Sequence, residues 1–542
     1  MLSKSSRARA SGRWAYGAVA AVMFFPIAMA AVGAETSRAY FGVRVVDEQT
    51  GRGAPLVELE TVNRLKWITD SNGWAAIDEP GWAGQRVFFY VRSHGYEFPK
   101  DGFGFSGVAL VVEPGKRSVI KIKRINVAER LYRLTGEGIY RDSVLLGEPT
   151  PLSEPLGSGK VAGQDSAFGE RYAGKIFWFW GDTARLSYPL GHFWMAGAVS
   201  DLPGQGGLDP DQGVRFRYFT NPDGFSRPVA RLGVERGPIW ADGFLTLRDP
   251  AGQERLVCHY AHMESLEKML DHGLAVFRDE KSEFERLRAL DMKDRWCFPS
   301  QAHPIRCWRG ETEYLYSGEV FPNVRVKADW EHYLDPKCYE GFTCRPAGAE
   351  GDDALQRGPD GRIRWEWRRG AAPVDAAAER KWIAAGRMKA EEARFLPKDV
   401  DSGQPVLMHR GSVRWNGHRR RWIMIACQHG GTSPLGEIWY SEAHEPTGPW
   451  RRAKKIVTHD RYSFYNPVHH AFFDQDGGRR IYFEGTYTQA FSGNPTATPR
   501  YDYNQVMYRL DLDDPRLRPV REEDSADRPE VTAERTSGPA GP

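Results

Sequence analysis

From Tyr40 to about Arg124, apolar and polar positions alternate in short runs, such as Gly42-Val43-Arg44-Val45-Val46 and Arg86-Val87-Phe88-Phe89-Tyr90-Val91, separated by Asp/Gly turns. Alternation with a period of two predicts strands with one buried face. Residues 38–126 therefore read as a small β-sandwich, and 127–159 as a connecting segment. After Pro151 the pattern changes to paired apolar runs, each pair opened by a polar or proline-containing stretch. Lys175–Thr183 follows Gln164–Phe168. Arg255–Tyr260 follows Trp240–Leu247, and Glu313–Gly318 follows Ala302–Trp308. Arg421–Cys427 follows Arg410–Trp415, and Arg480–Gly485 follows Asn466–Phe473 through a Gly477-Gly478 turn.

Five such hairpins predict an all-β chain in which residues 160–515 form a five-bladed β-propeller, since radial repetition protects strand edges. Two stretches break the pattern. Residues 263–290 carry Leu266, Met269, Leu270 and Leu274 at helical spacing, and 346–400 are rich in Ala, Arg and Glu with a helix expected over Ala376–Ala393. Both are read as helical inserts. The tail, 521–542, has few large apolar residues and is expected to be disordered.

Composition supports this outline. Of 542 residues, 41% are hydrophobic and 27% charged, with 57 Gly and 18 Trp, as expected for a turn-rich β protein. The net charge of +3 is too small to indicate a nucleic-acid or anionic-membrane partner. Residues 1–34 combine Lys4, Arg7, Arg9 and Arg13 with the apolar run Ala15–Ala31 and small residues at Ala28-Met29-Ala30. They read as a signal peptide, so the mature chain is expected outside the cytoplasm, periplasmic or extracellular. In that compartment Cys297 with Cys307, and Cys338 with Cys344, are expected disulfide pairs, leaving Cys258 and Cys427 as thiols.

In a propeller, residues that open an inner strand or close the second strand meet at one axial pocket. Asp165, Asp242, His303, Arg410 and the group Asn466, His469 and His470 open inner strands, while Asp182, His259 and Glu484 close second strands. Acids brought together this way shift each other's pKa, which general acid/base chemistry requires. Trp240 and Tyr487 are candidates to stack on a sugar, and the long polar loop Thr486–Asn504 is a candidate substrate wall.

Asp165 at the first opening, Trp240-Ala241-Asp242 at the second, and Tyr440-Ser441-Glu442 before Gly448-Pro449-Trp450 resemble the five-bladed propeller glycoside hydrolases, the arabinanases and β-xylosidases. That resemblance implies hydrolysis of a poly- or oligosaccharide, Asp165 as base or nucleophile, and Asp242 as the residue that orients the acid. The clan's acid glutamate opens its third blade, where this chain has His303-Pro304, so Glu484 is the expected acid. His303, Arg410, Tyr487, Trp240 and His259 are expected to contact substrate. No cofactor is required; a structural Ca2+ on the axis, held by His469, is compatible with the resemblance. Two rivals remain: a polysaccharide lyase using His303 and Tyr487 with Arg410, and a non-catalytic carbohydrate-binding propeller. Val46–Gly51 followed by Thr69-Asp70-Ser71-Asn72-Gly73 resembles the transthyretin-like or carboxypeptidase-regulatory-like sandwich, an accessory module.

Overall fold

The computed structural model describes residues 39–348, 354–432 and 434–521. The expected signal peptide and all but the first residue of the expected disordered tail lie outside them. The described residues from Tyr40 onward belong to one compact unit, and its regular structure is mostly strand.

Two four-stranded sheets come first. One orders Trp74–Ile77, Phe41–Asp47, Arg117–Arg124 and Tyr96–Glu97; the other orders Lys66–Ile68, Glu58–Thr61, Arg86–Arg92 and Gly107–Val111. Side chains including Val43, Val45, Leu59, Phe89 and Ile120 share one core, and Phe41–Asp47 is buried on both faces rather than on alternate residues. The Thr69–Gly73 turn is an anchor. Asp70 accepts from the backbone N–H of Asn72, of Trp74 and, at 2.6 Å, of Ser143 at the start of the helix Arg141–Leu146. Burial pushes its carboxyl up to about 6. Gly73 is required there, since a Cβ would lie 2.4 Å from the carbonyl oxygen of Val45.

A three-stranded sheet, Val161–Gln164, Thr183–Arg185 and Tyr188–His192, and five larger, almost wholly antiparallel sheets follow, the five in chain order. Their innermost strands are Phe168–Tyr172, Ile239–Arg248, Ile305–Arg309, Met408–Asn416 and Ser463–His469. Hydrophobic clusters join the sheets consecutively. Phe179 stacks on Phe244 between the first and second, with ring centroids 4.4 Å apart. Leu247 and Val326 lie between the second and third, Tyr316 and Trp422 between the third and fourth, and Ile425 and Phe483 between the fourth and fifth. A last cluster puts Trp178 of the first sheet with Tyr482 of the fifth, which closes a ring. Burying one such side chain contributes about 1.5–3 kcal/mol, so every sheet is held on both faces.

Polar groups of the inner strands meet inside the ring. Arg414 donates to the carbonyl of His303 at 3.1 Å, Arg306 to that of Thr246 at 2.5 Å, and the N–H of His469 to the Ser412 hydroxyl at 2.8 Å. Glu170 of the first sheet faces Arg414 and Arg306, yet burial still pushes its carboxyl up to about 7.

Three expectations change. Residues 127–159 do more than connect: Glu129–Arg133 is the outer strand of the fifth sheet, where it pairs with Asn504–Asp511. Residues 263–290 hold strands, Met269–Arg278 and Glu283–Leu290, and no helix. The apparent helical stripe shares no face, since Leu266 and Leu270 are 75% and 46% exposed while Leu274 is buried in the core with Val276, two residues on along the strand. The later insert does contain a helix, Ala376–Ala384, shorter than expected, packed through Trp382, together with a fifth strand, Glu366–Arg369, on the third sheet.

Candidate active site

Asp165 follows the strand Val161–Gln164, and Asp182 precedes the strand Thr183–Arg185. The two strands pair with Gln164 opposite Thr183, so the antiparallel ladder ends with both aspartates side by side. The Asp182 N–H donates to Asp165 Oδ1 at 2.9 Å, and the Gly181 N–H to the Asp165 carbonyl at 2.9 Å. Gly181 has to be glycine for this approach, because a Cβ would lie 2.3 Å from Asp165 Oδ1.

The surroundings of the two carboxyl groups differ. Asp165 receives the Tyr465 hydroxyl on Oδ2 at 3.0 Å and the Tyr503 hydroxyl as well. Asp182 receives the Trp240 side chain and keeps a buried Oδ1 without a partner. Burial raises both pKa values. For Asp182, burial and then the neighbouring Asp165 charge bring it up to about 7. Donors stabilise a carboxylate, so Asp165, which has more of them, is the member that carries the charge and Asp182 the member that keeps its proton.

A second set of residues packs against this pair. Asn466 of the fifth sheet donates to the Ser166 hydroxyl at 2.8 Å and approaches the Gln301 side chain at 3.4 Å. Ser166, Gln301, Asn466 and Tyr503 all have positive φ, between 49° and 60°. Left-handed backbone at four non-glycine residues from different parts of the chain is strain that persists only where surrounding contacts impose it, and such residues concentrate at functional sites.

Asp242 links the second sheet to Gln301. Its Oδ2 accepts the Gln301 N–H at 2.9 Å, and its Oδ1 pairs with His259 Nδ1 at 3.0 Å. His259 continues to His272 at 3.1 Å and stacks on Phe298. Asp242 and His259 thus hold backbone in place rather than joining the aspartate pair, and Asp242 orients Gln301, an amide, instead of an acid.

The remaining candidates fall elsewhere. Glu484 is fully buried, with Oε1 2.6 Å from His470 Nε2 and Oε2 unpartnered, so an acid role at the pocket does not fit its position. His303 packs on Phe168 under Arg414, and burial holds its imidazole well below the usual range, so it is neutral. Arg410 pairs with Glu319. Tyr487 is in the core between the fourth and fifth sheets, stacked on Tyr462 and bonded to Thr498. His469 is bonded through Nε2 to Asp474 at 2.8 Å. Among the described residues no group of three or more His, Cys, Asp or Glu side chains is arranged to hold a metal ion. No disulfide joins Cys297 to Cys307 or Cys338 to Cys344; proximity in sequence did not bring the first pair together, because Cys307 faces the core between the third and fourth sheets while Cys297 faces that between the second and third.

Sequence reasoning had named Asp165, Asp182, Trp240 and Asn466, and had nominated the loop containing Tyr503. It had missed Tyr465, Ser166 and Gln301. Only the position of Tyr465 directly before Asn466-Pro467 signalled it.

No family model matches the chain, and no curated protein matches it. Solved structures similar to it include an exo-β-1,3-galactanase from Phanerochaete chrysosporium, at 10% identity and a TM-score of 0.33 over 64% of this chain. The chain spans 60% of that galactanase. An exo-1,5-α-L-arabinanase from a bovine ruminal metagenomic library matches at 11% identity and a TM-score of 0.31, over 65% of this chain and 93% of its own. An endo-arabinase from Bacteroides thetaiotaomicron matches at 10% identity and a TM-score of 0.31, over 66% and 97% respectively.

Proposed function

We propose that the chain is an exported glycoside hydrolase acting on a poly- or oligosaccharide, that its five sheets are the blades of a propeller, and that its two N-terminal sheets are an accessory sandwich. The observation that carries this reading is the Asp165–Asp182 pair, two adjoining carboxyl groups in unlike surroundings with the proton held near neutral pH on Asp182. Glycosidic cleavage needs one carboxyl to protonate the leaving oxygen and one carboxylate to act as base or nucleophile. Asp182, short of donors, supplies the proton. Asp165, held by two tyrosine hydroxyls and a backbone N–H, supplies the negative charge. Trp240 beside Asp182 offers an apolar ring face for a sugar.

The lyase reading loses support, since His303, Tyr487 and Arg410 are held in separate contacts. A screen of polysaccharides with product detection tests the proposal. New reducing ends without ultraviolet absorption, lost in Asp182→Asn, support it; unsaturated ends, or no products from any glycan, would overturn it.

A further inference from the structure

The N-terminal sheets carry a cleft of about 890 Å³, between the loop following Tyr96 and the outward face of the strand Arg117–Arg124. No part of the aspartate pair lines it. One wall is aromatic. Tyr90 and Phe105 meet edge to face with centroids 6.0 Å apart, and the Arg92 guanidinium lies 5.3 Å over the Tyr90 ring. The loop that presents Phe105 also presents Phe103, 90% exposed. It is held in shape by Asp101, whose carboxylate accepts the N–H groups of both Phe103 and Phe105 at 2.9 Å. An apolar ring fully in water on a braced loop costs free energy that a ligand would recover.

The facing wall is cationic. Lys121 and Lys123 project outward from their strand, and Lys100 joins them from the loop. None of the three has an ion pair among the described residues. Two carboxylates, Glu48 and Glu97, share the cleft. A groove with ring faces, hydrogen-bond acceptors and an excess of unpaired ammonium groups fits a chain of sugar rings that bear carboxylates. The concave shape disfavours a flat anionic lipid surface, whereas a single glycan chain can enter it and set its carboxylates against the lysine wall, away from the two glutamates.

We propose that this cleft binds an acidic polysaccharide, of the uronic-acid class, independently of the axial site. Rings would stack on Phe105 and Tyr90, with Lys100, Lys121 and Lys123 meeting the carboxylates. Such binding would concentrate the whole protein on a charged glycan whatever bond the axial pocket cleaves.

The test is titration of the full chain with polygalacturonate, by calorimetry or affinity electrophoresis, with neutral arabinan and phosphatidylglycerol vesicles as comparison probes. The expected result is binding to polygalacturonate that weakens with salt, and a Kd raised about tenfold or more in Phe105→Ala and in the double variant Lys121→Glu/Lys123→Glu. These side chains are exposed, so an unchanged melting temperature separates lost binding from lost folding. No binding by the wild type, equal binding by the variants, or substitutions that affect only vesicle binding would overturn the proposal. Because the readout is affinity, a failed search for hydrolysis leaves this result intact.

Discussion

Asp182 donates its backbone N–H to the carboxylate of Asp165 at 2.9 Å, so the residue that keeps a proton also helps its neighbour to lose one. The two roles are coupled through the ladder that sets Gln164 opposite Thr183. Replacing either carboxyl by an amide should leave the fold intact and lower turnover by about 10²–10⁴-fold. The Asp182→Asn loss should shrink on a substrate whose leaving group needs no protonation, and the Asp165→Asn loss should not. Steady-state kinetics on an activated aryl glycoside beside the natural linkage would read the difference.

The same pair sets the pH dependence. With the Asp182 carboxyl raised to about 7, activity should fall as pH rises through about 7, because the proton donor is lost. Stability follows with a defined sign. An aspartate binds its proton more tightly folded than unfolded when its pKa is raised, so the fold loses stability as pH climbs from about 4 to about 7. Asp182→Asn removes that penalty. Its melting temperature should exceed that of the wild type at pH 8 and approach it at pH 4, which thermal melts at both pH values would check.

Gly181→Ala should disturb the pair without touching either carboxyl, since the new methyl would press on Asp165 Oδ1. The expected result is a fall in kcat by about 10-fold or more with little change in the melting temperature, and an alkaline limb shifted to lower pH as the two charges separate. An unchanged pH profile would show that the close approach does not matter.

Glu484 predicts the opposite behaviour. Glu484→Ala leaves the buried His470 ring, which burial keeps neutral, without its 2.6 Å partner, and an unsatisfied buried polar group typically costs about 1–3 kcal/mol. Denaturant unfolding should show that loss, while the protein that remains folded should keep its specific activity. A severe loss of kcat in a stably folded variant would restore Glu484 as a chemical participant.

The thiols give a further check. All six cysteines should react with a thiol reagent after denaturation without reductant, and reductant should not alter the melting temperature. Fewer than six would show a bond absent from this arrangement.

Much of this architecture is visible in the chain because continuous apolar runs mark strands buried on both faces, as at Ile176–Trp180 and Ile481–Phe483. Asp165 and Asp182 were both legible as residues at strand ends. Their pairing was not, because it depends on the short ladder from Val161 to Arg185, which is outside the inner hairpins. The site also depends on left-handed backbone at Ser166, Gln301 and Asn466, and of these residue types only asparagine is prone to a positive φ. Leu266, Met269, Leu270 and Leu274 misled for a related reason: spacing suggests a face, and only packing decides which faces are used.

Strand Glu129–Arg133 has a consequence for how the molecule comes into being. It leaves the ribosome before any of the five sheets, yet its partner Asn504–Asp511 is made almost last. A nascent chain can complete the two N-terminal sheets early, holding this strand in wait beside them, while the successive sheets form one by one with an unclosed gap. Contacts so distant in sequence are slow to form and leave edges exposed until they do. Closure therefore comes late, and a chain stopped short of Asn504 would leave the fifth sheet without its third strand and Glu129–Arg133 without a partner, exposing the faces that Val506, Met507, Tyr508 and Leu510 cover.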